Sequence, residues 1–452
     1  MPDASKQQLA YPTDSLALAR CFHDLPGFVW LESGNPERPG IDIISALPGL
    51  ELSLENGRLH QRTATTEDSV SGDHHPIADA VIGTLSDHPN SDWIGYLAYD
   101  SAVDASRSCP TSDPYSTPNL RLARYDWALL MDHTARTAVI QWHPGCSATT
   151  RDQVRSRLAS WNDTKVSPDF SLLGPFYPDQ TRAQYAANFC RIQDYIRAGD
   201  CYQVNYAQRF SADYNGDPWQ AFLALRRAAK APYSAFLRTP VGAILSLSPE
   251  QFIQIDGRHI RTAPIKGTRT RGRNPAEDMS LKQELASSPK DRAENLMIVD
   301  LLRNDLGRHS DIGSVKVEQL FEIQTYRNVH HLVSTISATL KAGTHPLRLF
   351  FDAFPGGSIT GAPKRRAMEI IAELEPHRRS VYCGSIFWWS ADQVLRSNIA
   401  IRTLVCERGI IYCWGGGGIV ADSEEEQEYQ ESINKVALFM RTLEQDFLSG
   451  DR

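Results

Sequence analysis

The run Thr262-Ala263-Pro264-Ile265-Lys266-Gly267-Thr268 puts a lysine at the end of an expected strand, between a proline and a glycine that define the local backbone. Such a lysine is either an exposed turn residue or, in a desolvated pocket, an amine whose pKa falls and which acts as a nucleophile. Glu250 closes Leu247-Ser248-Pro249-Glu250 at another strand end, where a carboxyl group can serve as general acid. A nucleophilic amine and an acid are half of a reaction. The other half is a group that holds an anion.

Two helices carry carboxylates in places that need explaining. Pro289 suits a first helical position after Ser287 or Ser288 as cap, and Gly307 suits the stop. Between them Leu296, Met297, Ile298, Val299, Leu301 and Leu302 are apolar nearly all round, which predicts a buried helix. Glu294 shares the stripe of Ile298 and Leu301, so its charge needs a partner. That partner is either an Arg or Lys side chain or a hard cation shared with other carboxylates.

The last helix is the second. Ser423 with Glu426 reads as a capping-box start, and Tyr429, Ile433, Val436, Met440 and Phe447 form one apolar face. Glu424, Glu428, Glu431 and Lys435 form another stripe, either a solvated acidic face or a ligand set. Before it come Gly415-Gly416-Gly417-Gly418, read as a loop whose backbone approaches something closely and whose N–H groups could hold an anion. Carboxylates without a His/Cys cluster select Mg²⁺ over Zn²⁺. The run Pro355-Gly356-Gly357-Ser358-Ile359-Thr360-Gly361-Ala362-Pro363-Lys364 fails the phosphate-loop spacing and reads as a glycine-rich turn forming a pocket wall.

These residues need strands and helices to position them. Phe28–Leu31, Ile41–Ile44, Trp93–Tyr99 and Trp127–Met131 read as short strands in a strand-rich region, residues 1–145. Residues 146–180 read as a connection, with a helical piece at Arg151–Trp161. Beyond it Arg182–Gly199 and Lys364–Leu374 read as helices, and Val241–Leu247 with Phe252–Ile255, and Ile399–Val405 with Ile410–Trp414, as strand pairs. This predicts a mixed α/β (α+β) fold.

Composition excludes several classes. Of 452 residues 41% are apolar and 22% charged, with a net charge of −7 and no long basic run, which argues against a nucleic-acid partner. The eight cysteines form no C-x-x-C pair, so neither a zinc nor a redox motif is present. No signal-like segment and no apolar run of about 20 residues is seen, so no membrane and a cytoplasmic location are expected.

Taken in order, the motifs resemble the chorismate-utilising enzymes, from about Thr181 to Leu443 and more weakly before it. They are Leu-Ser-Pro-Glu ending at Glu250, Pro264 to Thr268, Asp291-Arg-Ala-Glu294, His330-His331-Leu-Val-Ser-Thr335, Gly-Ala-Pro-Lys ending at Lys364, Ile-Arg402-Thr and the glycine run through Glu431. Lys266 stands where members that aminate C2 usually have Ala, which looks like the branch that aminates C4. Gln203 stands where water-using members carry a lysine base.

The resemblance implies antiparallel sheets packed face to face with helices outside, and a chorismate-binding region over 181–447. It implies that Glu294 and Glu431 bind Mg²⁺ directly, with Asp291 and Glu428 supporting through water. Tyr382 and Arg402 would hold the enolpyruvyl carboxylate, and Gly267, Thr268, His331, Gly417 and Lys435 match other pocket positions. Lys266 would attack C2 and Glu250 would assist the leaving C4 hydroxyl. The reaction implied makes 4-amino-4-deoxychorismate on the route to 4-aminobenzoate and folate. No Gly-x-Cys-x-Gly glutaminase motif surrounds Cys146, so a glutamine amidotransferase partner is expected to supply ammonia. Leu31-Glu32-Ser33 and Ala231-Pro232-Tyr233-Ser234 resemble segments of a tryptophan site, with Ser33, Pro232 and Tyr233 its candidate residues. Phe387 and Arg396 depart from the family's usual Gly and Asp.

Overall fold

The strand Gly242–Ser248 is buried along nearly its whole length, and alternation divides its side chains between two cores. Ile244 joins a core that also holds Trp93, Leu122 and Phe252, while Ala243, Leu245 and Leu247 join one that holds Trp219, Phe222 and Phe439. A strand apolar on both faces must lie inside a layered structure. The computed structural model describes residues 5–12, 14–33, 40–55, 57–63, 66–70, 77–103, 117–159, 169–326 and 329–448.

Two large antiparallel sheets carry those cores, with 13 and 12 strands among the described residues. The first runs from Lys6–Leu9 through Trp127–Asp132, Val29–Glu32, Tyr233–Thr239, Gly242–Ser248, Thr403–Glu407 and Ile410–Ile419 to Gln203–Gly216 and Phe170–Leu172. The second runs from Ile265–Thr270 through Val329–Thr339, His259–Ala263, Gln251–Asp256, Leu395–Asn398 and Ser385–Trp389 to Asp92–Leu97 and Leu120–Tyr125, then to Leu50–Glu55 and the hairpin after it. Strands from before and after residue 145 thus share both sheets. One core lies between the sheets. The other lies under helices Pro218–Ala229 and Glu425–Phe447, on the outer face of the first sheet.

Several expectations change on the way from pattern to fold. Val241–Leu247 and Phe252–Ile255 are strands but not a pair, because the chain crosses from one sheet to the other at Pro249-Glu250. The strand expected from Ile399 begins only at Thr403 and does pair with Ile410–Ile419. The glycine run is not a loop: it continues that last strand, with Tyr206 opposite Gly417 and Ala207 opposite Gly416. The helix Pro289–Gly307 starts at the Ser288 cap, as expected, but buries one face only, and Leu296 is exposed. The final helix has no capping box; Ser423 donates instead to Glu428 Oε1 at 2.7 Å. The helical piece of the connection is Ala148–Ala159, and Trp161 lies outside the described residues. Helices at Leu16–Ala19 and Ile77–Ser86 and several N-terminal strands had no clear sequence signal.

The glycine run lets the final helix lie against the sheet. A Cβ on Gly415 would stand 2.0 Å from the Ser432 carbonyl oxygen on that helix. Backbone cannot yield as a side chain can, so Gly415→Ala should cost about 1–3 kcal/mol or more. Gly83, inside the helix Ile77–Ser86, meets nothing within 4 Å. Gly83→Ala should therefore be neutral or stabilising by up to about 1 kcal/mol. Urea denaturation of both variants checks the contrast, and equal effects would refute the packing argument.

Candidate active site

Glu250 sits at the crossing between the sheets, and its backbone is pinned on both sides. Its N–H donates to Ser248 Oγ at 3.2 Å, the Ser248 hydroxyl donates to the Ile399 carbonyl at 2.6 Å, and the Ile399 N–H donates to the Glu250 carbonyl at 3.0 Å. Its side chain is buried. Burial raises the carboxyl pKa to about 6, against the lowering effects of a Ser358 hydrogen bond, the Lys266 charge and Arg402. A carboxyl in that range is half-protonated at about pH 6 and keeps a fraction of its proton at neutral pH, so it can give up a proton.

Lys266 lies in a bulge. Ile265 pairs with Val333 and Thr268 with His331, so three steps on one strand oppose two on the other. Gly267 takes a left-handed φ of 83° there, and a Cβ on it would stand 2.9 Å from the Asp291 carboxyl carbon. The extra residue turns the lysine amine inward, where it donates to the buried Ser358 carbonyl at 3.2 Å. Burial lowers its pKa, and this outweighs Glu294 and Glu250, which raise it.

Ser358, on the glycine-rich wall, therefore touches both Lys266 and Glu250. Sequence reasoning found the wall but not this residue, because a serine among glycines carries no spacing signal. Arg379 was also missed. Fully buried, it donates to the Ile359 and Asn205 carbonyls and pairs with Glu375, tying the wall to the strand Gln203–Gly216.

Around this pair the other expected residues take their places. Thr268 Oγ1 lies 2.8 Å from His331 Nδ1. Burial, with Arg402 and His330 nearby, holds His331 down at about 3, so its ring is neutral. Arg402 has a left-handed φ of 51°, and its half-buried guanidinium is pushed below the usual range by desolvation while Glu250 opposes the shift. Tyr382 stacks on Trp414 with ring centroids 6.0 Å apart.

The carboxylates come from the two helices foreseen. A Cβ on Gly417 would lie 3.1 Å from Glu428 Oε2, 3.4 Å from Glu431 Oε1 and 3.6 Å from Lys435 Nζ, so all three meet over the glycine strand. Lys435 pairs with Glu431 at 2.7 Å and donates to the Gly416 carbonyl at 2.8 Å. Asp291 is held by Arg269 at 3.2 Å. Glu294 has no hydrogen-bond or ion-pair partner among the described residues, and burial raises its pKa against the lowering charges of Lys266 and Lys290. Among the described residues these acids do not form a ready-made cluster of three or more metal ligands. The donor set is nevertheless of hard oxygens, and a partly buried carboxylate without a partner fits a divalent cation.

The order of these elements decides the family. Residues 27–441 match the family described as chorismate binding enzyme. The chain belongs to the chorismate binding enzyme family. It is 45% identical over 439 residues to aminodeoxychorismate synthase component 1 of Escherichia coli K12, covering 93% of this chain and 94% of that protein. It is 51% identical over 330 residues to aminodeoxychorismate synthase component 1 of Klebsiella aerogenes, covering 72% and 71%. The solved structure of anthranilate synthase component I from Streptococcus pneumoniae TIGR4 superposes with a TM-score of 0.77 at 29% identity, over 89% of this chain and 92% of that one.

This chorismate binding enzyme also has a cavity that Lys266 does not line, although Ile265 and Pro249 do. The cavity, of about 640 Å³ between the sheets, is lined by Ser33, Pro232 and Tyr233, which the sequence had placed together. Of the two departures from the family pattern, Arg396 lines this cavity, while Phe387 packs on Phe350 in the core with centroids 4.8 Å apart. No helix is long and apolar enough to cross a membrane among the described residues.

Glu250 makes stability depend on pH. Its carboxyl pKa is higher folded, at about 6, than its ordinary value of 4.5, so the unfolded chain releases this proton first as pH rises. Its contribution to stability is therefore lost between those two values, by about 2 kcal/mol in all. Glu250→Gln should gain about that much relative to the wild type between pH 4 and pH 7 in urea melts. A constant difference would show that Glu250 is not held protonated.

Proposed function

We propose that this chain aminates chorismate at C4, as an aminodeoxychorismate synthase component 1 with a glutamine amidotransferase partner. The observation that carries the reading is the Lys266 amine, desolvated and aimed into the pocket beside Glu250, whose carboxyl is raised to about 6. The identity to curated aminodeoxychorismate synthases supports it. The product, 4-amino-4-deoxychorismate, leads to 4-aminobenzoate and folate, and the enzyme is a transferase of the cytoplasm.

In the first step the neutral Lys266 amine bonds to C2 while the C4 hydroxyl leaves as water with the proton of Glu250. Ammonia then bonds to C4. The C2–N bond breaks, its electron pair returns to Lys266, and the new C4 ammonium passes a proton back to Glu250. Arg402 and Tyr382 hold the enolpyruvyl carboxylate, an anion that suits a guanidinium fork. Thr268, the neutral ring of His331 and the backbone at Gly267 and Gly417 orient the ring. Glu294 and Glu431 would hold Mg²⁺, with Asp291 and Glu428 behind them, and the bound ion would offset the charge of the ring carboxylate near Lys435. Ammonia comes from the partner: Cys146 is a buried thiol pushed up by desolvation, the opposite of an activated nucleophile. In the cavity between the sheets we place tryptophan, against Ser33, Pro232 and Tyr233.

Assays of the purified chain and of three variants, with a peptide-adduct measurement, test this reading. The purified chain should make aminodeoxychorismate from chorismate, Mg²⁺ and ammonium chloride but not from glutamine. Lys266→Ala should lose that product more than about a thousandfold and divert residual turnover to attack of ammonia on C2, giving anthranilate-type product. A peptide adduct on Lys266 should appear in quenched wild type. Near-normal aminodeoxychorismate from Lys266→Ala would end the covalent mechanism. Glu294→Ala and Glu431→Ala should each abolish turnover while melting like the wild type. Substantial activity of either variant in EDTA would remove the metal assignment.

A further inference from the structure

Arg379 fills a gap in a sheet. One edge of the strand Gln203–Gly216 pairs with the glycine-rich wall, Gln203 opposite Ala362 and Val204 opposite Gly361. Farther along, the same edge pairs with Pro178 and Tyr177, opposite Phe210 and Ser211. Between those rungs the edge meets Thr360, Arg379 and Glu375. The Asn205 N–H donates to the Thr360 carbonyl at 2.8 Å, the Asn205 carbonyl accepts from the Arg379 guanidinium at 2.5 Å, and the Ala207 N–H donates to Glu375 Oε1 at 2.8 Å. One ion pair thus supplies the donor and the acceptor that a neighbouring strand would supply.

The guanidinium is fully used. It donates to both Glu375 oxygens, at 2.7 and 2.8 Å, to the Ile359 carbonyl at 2.9 Å and to the Asn205 carbonyl, and it stands over the Tyr99 ring, 4.6 Å from the centroid. Desolvation offsets most of the attraction in a buried ion pair, so the contribution of this one is geometric: a planar fork fits one arrangement of its acceptors. What it fixes is the short turn of the wall. Over residues 356–360 every carbonyl has a partner. Gly356 and Gly357 accept from Thr360 Oγ1 at 3.2 and 3.3 Å, Ser358 from Lys266, Ile359 from Arg379 and Thr360 from Asn205. Lys266 and Arg379 thus bind consecutive carbonyls, and a turn that slips from the guanidinium also slips from the amine. Ser358 hydrogen-bonds Glu250 as well, and the Arg379 carbonyl accepts from the Tyr382 N–H at 3.0 Å.

We propose that Arg379, aimed by Glu375, is a positioning residue for the reaction: it holds the turn at Ser358 and Ile359 where Lys266 and Glu250 meet it. The role rests on the reading of Lys266 and Glu250 as the reacting pair. Arg379 acts through the turn, so its loss displaces the amine and the acid together while the groups that hold the substrate carboxylate stay in place. Small displacements of reacting groups cost rate steeply.

Arg379→Lys, which keeps the charge and loses the fork, tests it in the full chain with ammonium chloride, well below the melting point of the variant. Its kcat should fall about tenfold or more, with KM for chorismate within about threefold of the wild type. Trace acetylation of Lys266 in the folded variant should give a midpoint raised toward the ordinary lysine value of about 10.4, because a displaced turn readmits water to the amine. Arg209→Lys, in the buried pair with Asp179 at 2.5 Å on the same strand, is the control for lost stability alone and should keep both readouts. A variant of Arg379 that melts lower yet keeps its kcat and its Lys266 midpoint overturns the proposal, and so does an equal loss of kcat in Arg209→Lys. Should Arg379→Lys not fold, Glu375→Gln unties the guanidinium from its carboxylate at nearly equal size and is held to the same expected and overturning results. The midpoint is read without turnover. A failed amination reading, shown by Lys266→Ala still making product, is thereby told apart from a failure of this proposal.

Discussion

The whole site depends on taking one amine out of water. Lys266 is held against the Ser358 carbonyl, inside a wall that also hydrogen-bonds Glu250, and desolvation there outweighs the carboxylates that would keep it charged. An exposed lysine would be a solvated cation at neutral pH and a poor nucleophile. The bulge at Gly267, the crossing of the chain at Pro249-Glu250 and the wall around Ser358 all serve to place this amine and its acid on the same side of one pocket.

Across the pocket the constraint is steric. The acids of the final helix reach the sheet only because the strand beneath has no side chains. Gly415 makes room for the Ser432 carbonyl, and Gly417 makes room for Glu428, Glu431 and Lys435. The same glycines keep their ladder with Gln203–Gly216, so the strand stays paired where the helix approaches. The carboxylates are then split in character. Glu431 is drawn below its usual range by Lys435 despite desolvation, whereas burial pushes Glu294 and Glu428 up. A divalent ion arriving among them would replace lysine charge with metal charge.

Local features were legible in the sequence, and pairing only in part: Thr403–Glu407 does pair with Ile410–Ile419, while Gly242–Ser248 and Gln251–Asp256 do not pair. Neighbouring prolines and glycines mark the strand boundaries near Lys266 and Glu250, and the helix carrying Glu294 follows from its caps, but the local pattern left their roles open and the family resemblance chose them. The four glycines looked like a loop because glycine disfavours strands in isolation; only the partner strand at Tyr206 and Ala207 makes them a strand. The chain's step between sheets at Glu250 is equally invisible, since two apolar runs joined by a short turn resemble a hairpin. Ser358 and Arg379 act through contacts far apart in sequence, and no spacing announces them. Chemistry was readable where it is local, and the sign of the Lys266 shift waited on the packing around it.

The central claim is that Lys266 is more readily deprotonated than a free lysine, and it can be measured directly. Trace labelling with acetic anhydride across about pH 6 to 11, read by peptide mass spectrometry, gives the titration midpoint of this one amine. The account predicts a midpoint clearly below the ordinary lysine value of about 10.4, moving upward in unfolded chain. A midpoint at or above that value in the folded protein would mean that the carboxylates win over desolvation, and that Lys266 is a charged anchor and not a nucleophile.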